Sequence, residues 1–129
     1  MRCRGSGLSR SLDVALTSVL DSFPSDLLMD VLAEYFKVFS EPNRLAVLDA
    51  LRDGPLNVTA VVEHTGLSQA LVSKHLKLLT IAGVVQRRPQ GSLVFYEVSD
   101  RAVFRLITQA EKLLLATRRQ QLDALAASL

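Results

Sequence analysis

Apolar residues recur at intervals of three and four through most of this chain, and they alternate over only one short stretch. Those two rhythms lay out its elements. Leu12, Ala15, Leu16, Val19 and Leu20 predict a short amphipathic helix within an N-terminal arm, residues 1–24, that Pro24 closes. Leu28, Val31, Leu32, Tyr35, Phe36 and Phe39 predict a helix from Asp26 to about Phe39, with Ser25 as its cap. Leu45, Val47, Leu48 and Leu51 face inward from the next, with Ser40 as its cap, Pro42 in its first turn and Gly54-Pro55 as its stop. A shorter apolar helix runs from Val58 to Thr65 and ends at Gly66. Ser68 caps another, whose stripe is Leu71, Val72, Leu76, Leu79 and Ala82 and whose end is Gly83. Alternation then takes over. Val84 to Arg88 and Leu93 to Val98 read as two strands joined at Gln90-Gly91-Ser92. A last helix, Arg101 to about Ala126, is capped by Asp100 and carries a seam of Val103, Ile107, Ala110, Leu114, Leu122 and Leu125. The expected fold is mainly α with a small β-hairpin, and residues 25–129 form one domain.

The polar positions give the pattern a purpose. Two short helices meet at a tight glycine turn, and the outer side of the second carries Gln69, Ala70, Ser73, Lys74 and Lys77, with no acid. Such a pair suits the major groove of DNA. Net charge is only +2 over 129 residues, but it is unevenly spread. Between Glu63 and Glu97 there is no Asp or Glu, while Lys74, Lys77, Arg87 and Arg88 lie there, so that segment is +4. A segregated positive face is the footprint of a polyanion partner, and a merely solvated lysine face is the alternative. Gln69, Ser73 and Lys74 are placed to reach base edges. Ser68, Lys77, Arg87, Arg88 and Gln90, with Gly91 at the hairpin tip, are placed on phosphates or the minor groove. For His75, DNA contact and packing at the edge of the stripe both stay open.

The run Leu67 to Val85, L-S-x-x-x-V-S-x-H-L-x-x-L-x-x-A-G-V-V, resembles the recognition helix of the ArsR/SmtB family of bacterial winged-helix repressors. Ser40-Glu41-Pro42-Asn43-Arg44 is similar to that family's S-x-P-x-R start of the second helix, and Arg88 to Tyr96 to its wing. The resemblance covers roughly Leu27 to Leu115. It implies a winged helix-turn-helix repressor that binds double-stranded DNA at an inverted-repeat operator as a homodimer, paired through its N- and C-terminal helices. The dimerisation residues would be Leu28, Val31, Leu32, Tyr35 and Phe36 with Val103, Ile107, Ala110 and Leu114. Arg44 matches the family's second-helix arginine, where phosphate contact and pairing with an acid are both open.

The chain departs from that family at its metal ligands. Where relatives carry a cysteine motif, this chain has Pro55-Leu56-Asn57-Val58-Thr59, and at the other site Asp100 remains while Ala102, Leu113 and Ala116 fill the matching places. Transition metals need three or four converging donors, so the expectation is no metal, no cofactor and a non-metal or unknown effector. A cleft between the first and last helices, lined by Tyr35, Phe36 and Phe39, would suit a small organic ligand, and a constitutive repressor without an effector stays open. Cys3, beside Arg2 and Arg4, offers the alternative of a thiol switch in a redox-responsive repressor. A single cysteine excludes a disulfide framework and suits a reducing cytoplasm. No apolar run reaches the ~20 residues of a membrane span. Asp13 and Asp21 interrupt the apolar stretch that follows the first arginines, which argues against a secretion signal. Ser73 and His75 are two apart on a helix and point apart, and nothing else assembles a nucleophile with a base, so catalysis is not expected. A winged helix serving only protein contacts is the remaining alternative.

Overall fold

The computed structural model describes residues 14, 15, 17, 18, 21, 22 and 24–129, and it resolves into two units, residues 1–40 and 41–129. Cys3 and most of the arm's stripe lie outside the described residues. The first unit is carried by α1 (Ser25–Lys37). The residue flanking its start is Pro24 rather than Ser25, which lies inside the helix; Pro24 gives no side-chain cap, and its carbonyl takes the Leu28 amide at 3.2 Å. Ser40 also departs from expectation. Its hydroxyl donates to the Phe36 carbonyl at 3.0 Å, so it closes α1 instead of opening the next helix. None of α1 is buried.

The second unit holds the core. Its first helix, α2 (Pro42–Ala50), is capped by Glu41, whose carboxylate accepts the Arg44 amide at 3.0 Å, while Pro42 takes the position where a missing N–H costs nothing. Val47, Leu48, Ala50 and Leu51 are buried, but Leu45 is exposed, because the inward face of α2 is narrower than its apolar pattern. A short strand β1 (Leu56–Asn57), absent from the expected elements, leads into α3 (Val58–Thr65). Asn57 does two jobs: it pairs opposite Phe95, and its side chain accepts the Ala60 amide at 2.9 Å to cap α3. Replacing Asn57 by Ala should cost about 1 kcal/mol. Denaturant titration should show an earlier midpoint with an unchanged slope.

Next come α4 (Gln69–Ile81), β2 (Val85–Gln90), β3 (Leu93–Val98) and α5 (Ala102–Ala127). The sheet order is β1-β3-β2, all antiparallel, with Val85 opposite Val98 and Gln90 opposite Leu93. That register leaves Gly91 and Ser92 as a two-residue turn, and Gly91 supplies the positive φ of 61° such a turn requires. Val61, Val72, Leu76, Leu79, Val84, Val85, Val98, Val103 and Phe104 complete the core. Val103 is therefore spent inside its own unit and is no dimer-seam residue. Beyond it α5 runs out uncovered, with Leu113, Leu114, Leu115, Leu122 and Leu125 all more than half exposed. Among the described residues no helix is long and apolar enough to cross a membrane.

Candidate nucleic-acid interface

The turn between α3 and α4 is built to hold two helices at a fixed angle. Gly66, at φ 72°, ends α3 in the left-handed conformation and returns its amide to Val62 at 2.8 Å. Thr65 braces the same corner, donating its hydroxyl to the Val61 carbonyl and accepting the Leu67 amide at 3.2 Å. Ser68 then caps α4 by accepting the Leu71 amide at 3.2 Å. Val72, Leu76 and Leu79 anchor α4 in the core at zero exposure, which fixes the direction of its opposite face. Gln69, Ala70, Ser73, Lys74 and Lys77 stand exposed there, with Ser68 at the N-terminal end.

Two residues depart from the expected stripe, and a third takes one of the two places left open for it. Leu71 and Ala82 are exposed, and His75 is buried at 3%. His75 lies between Val72 and Leu79 on the helix, so its ring faces inward and cannot reach a duplex. Its Nε2 lies 3.5 Å from the Glu41 carboxylate at the start of α2, and among the described residues its Nδ1 has no hydrogen-bond partner. The DNA contact held open for His75 gives way to a structural link between α2 and α4. Arg44 is half-buried on α2, where its backbone amide meets the Glu41 cap.

The hairpin changes the charge count. Gln86 lies opposite Glu97 in the antiparallel register, and Arg88 is on the same face of the sheet two residues along. Glu97 accepts both the Gln86 amide at 2.6 Å and the Arg88 guanidinium at 2.8 Å. Counting along the chain stops at Glu97; folding brings it back against the wing. Arg88 is thus held by a carboxylate, though an exposed pair of this kind is worth at most about 1 kcal/mol and a phosphate can replace it. Arg87 is exposed on the other face, opposite Tyr96, and Gln90 and Gly91 form the exposed tip. Among the described residues, Lys74, Lys77 and Arg87 have no carboxylate within 4 Å.

The stretch that stands in place of a cysteine motif is occupied structurally. Leu56 pairs with Tyr96 in the sheet and Asn57 caps α3. Asp100 likewise accepts the Ala102 amide at 2.8 Å at the start of α5.

The arrangement is a helix-turn-helix with a basic hairpin, and comparison with known proteins agrees. Residues 41–87 match the model of the bacterial regulatory proteins of the arsR family. The chain is 34% identical over 82 residues to the uncharacterised HTH-type transcriptional regulator MJ1325 of Methanocaldococcus jannaschii, covering 63% of this chain and 92% of that one. It is 31% identical over 87 residues to the HTH-type transcriptional repressor SmtB of Mycobacterium tuberculosis, where the match covers 67% of this chain but only 64% of the relative. The homodimeric winged helix-turn-helix DNA-binding domain of Mb0332 from Mycobacterium bovis superposes with a TM-score of 0.63 at 28% identity, over 72% of this chain and 86% of that one.

Proposed function

The chain belongs to the arsR family of bacterial regulatory proteins and is a winged helix-turn-helix transcriptional regulator of the repressor type; on that premise we propose that it acts as a homodimer on an inverted-repeat operator. Its family regulates transcription by binding DNA and is not catalytic. The observation that carries the reading is the outer face of α4, where Gln69, Ser73 and Lys74 stand exposed on a helix locked into the core on its other side. Gln matches the N6/N7 pair of adenine and Lys the acceptors of guanine. Ser68, Ala70 and Lys77 flank them, and Arg87, Arg88, Gln90 and Gly91 of the wing hold backbone or minor groove. Repression follows from occlusion of promoter DNA by the bound dimer, on the nucleoid in the cytoplasm.

The second copy is supported by apolar surface. Val31 is 58% exposed, Phe36 48% and Leu114 56%, and Leu28, Leu32, Tyr35, Ile107 and Ala110 belong to the same two apolar faces. A single chain leaves that surface in water at a cost of about 25 cal/mol per Å². Pairing two chains two-fold matches a palindromic site. Release would require an effector that prefers the free dimer to the bound one. Asn57 caps α3 in a place where family relatives carry a cysteine ligand, which supports an effector other than a transition metal.

The test of the wing is the salt dependence of binding. Arg87→Ala should weaken operator and random duplexes alike and lower the slope of log K against log salt by about 1 per chain, as expected for one lost phosphate contact. A titration series in which Arg87→Ala altered sequence preference but left the salt slope alone would remove Arg87 from the backbone.

A further inference from the structure

We propose that the outer side of α5's first turns, together with Arg52 just beyond α2, is a binding site for a small polyanion, a molecule carrying two or more phosphate or carboxylate groups. Arg52, Phe104, Arg105, Thr108, Gln109 and Lys112 line an open concavity of about 350 Å³ there. Small-molecule sites begin at roughly this size. Arg101, Arg105, Thr108 and Lys112 follow one another at intervals of four, three and four, so they share one stripe of the helix.

Every polar side chain lining the hollow is able to donate, and none is a carboxylate. The floor is fixed. Phe104 is buried, with the guanidinium carbon of Arg52 4.9 Å above its ring and that of Arg101 at 5.4 Å. Arg101 donates to the Arg52 carbonyl at 2.8 Å, and Asp49 holds the Arg52 Nε at 3.1 Å. Arg52 is thereby positioned before any ligand arrives. Arg105 and Lys112 are exposed, and among the described residues neither has a carboxylate within 4 Å. Asp49 partly offsets Arg52, but among the described residues Arg105 and Lys112 have no such partner, and a multivalent anion would accept charge-assisted hydrogen bonds from all three. The apolar positions Ile107, Ala110 and Leu114 fall on the far side of the same helix, so a second copy seated on them leaves the hollow open. None of its residues belongs to the face that reads DNA, so the site stands or falls independently of the operator.

Calorimetric titration of the full chain with pyrophosphate and with citrate, at constant ionic strength in chloride, tests the proposal. Saturable binding of one molecule per chain is expected for at least one of the two, and the preferred probe tells phosphate from carboxylate. Arg105→Gln and Lys112→Gln should each weaken it by about tenfold, whereas Arg105→Lys should keep it within about threefold. Both side chains are exposed on a helix, so circular dichroism should be unchanged. Arg87→Ala should leave the titration as it was. Heats that never saturate or vanish at matched ionic strength would show a merely solvated cationic face and overturn the site. Loss of binding in Arg87→Ala would move the anion to the wing and overturn it equally.

Discussion

Leu114→Asp is expected to leave the chain folded and monomeric at concentrations where the parent protein is a dimer. Leu114 is 56% exposed in the single chain and makes no part of its core, so the monomer loses little. In the dimer the new carboxylate would be buried against apolar side chains without a partner, at a cost of several kcal/mol. Since 1.4 kcal/mol is a factor of ten, about 4 kcal/mol weakens association roughly a thousandfold. Sedimentation equilibrium reads the change directly, and an unaltered protein that is already monomeric at micromolar concentration would contradict the premise. Val103→Ala is the matching control. That residue is buried within its own chain, so its loss should lower stability and spare association.

The difference between Val103 and Leu114 shows what a sequence pattern carries. Both sit on one helical seam, and periodicity alone assigns them one role. Which end of the seam is covered depends on how the rest of the unit packs, and that is a tertiary fact. His75 is similar: the sequence leaves DNA contact and packing beside the stripe both open, and the helix turns it inward, toward Glu41. Glu97 is the clearest case, because its effect on Arg88 arises from strand register and not from proximity in the chain. Local chemistry was read more surely. Gly66, Ser68, Gly83 and Gly91 mark ends and turns through their own backbone preferences, and the structure puts each at such a point. Ser40 was misassigned because Glu41, one residue on, offers the longer acceptor to the Arg44 amide. The strand β1 was missed because two residues are too few to show alternation.

Substitution of Gln69 or Lys74 by Ala is expected to have the largest effect on operator recognition. A base contact of this type contributes about 1–3 kcal/mol of discrimination, and a two-fold dimer makes it twice, so each substitution should cost about 2–6 kcal/mol at a palindromic site. Preference should relax at the base pair each residue reads and nowhere else. Random DNA should bind the variants nearly as well as the parent, because the phosphate contacts remain. Folding should be unaffected, since both side chains are exposed on α4, clear of its buried stripe.

On the proposed reading, α4 presents a reading face to DNA as one half of a symmetric dimer. Selection of bound sequences from a pool of random duplexes, performed with the parent chain and with Lys74→Ala, tests it most directly. The parent should enrich an inverted repeat whose half-site centres lie about 10 bp apart. Lys74→Ala should lose preference at one position in each half-site. A pool that enriches no common sequence, or an enriched site identical for the two proteins, would show that Lys74 on α4 does not read bases.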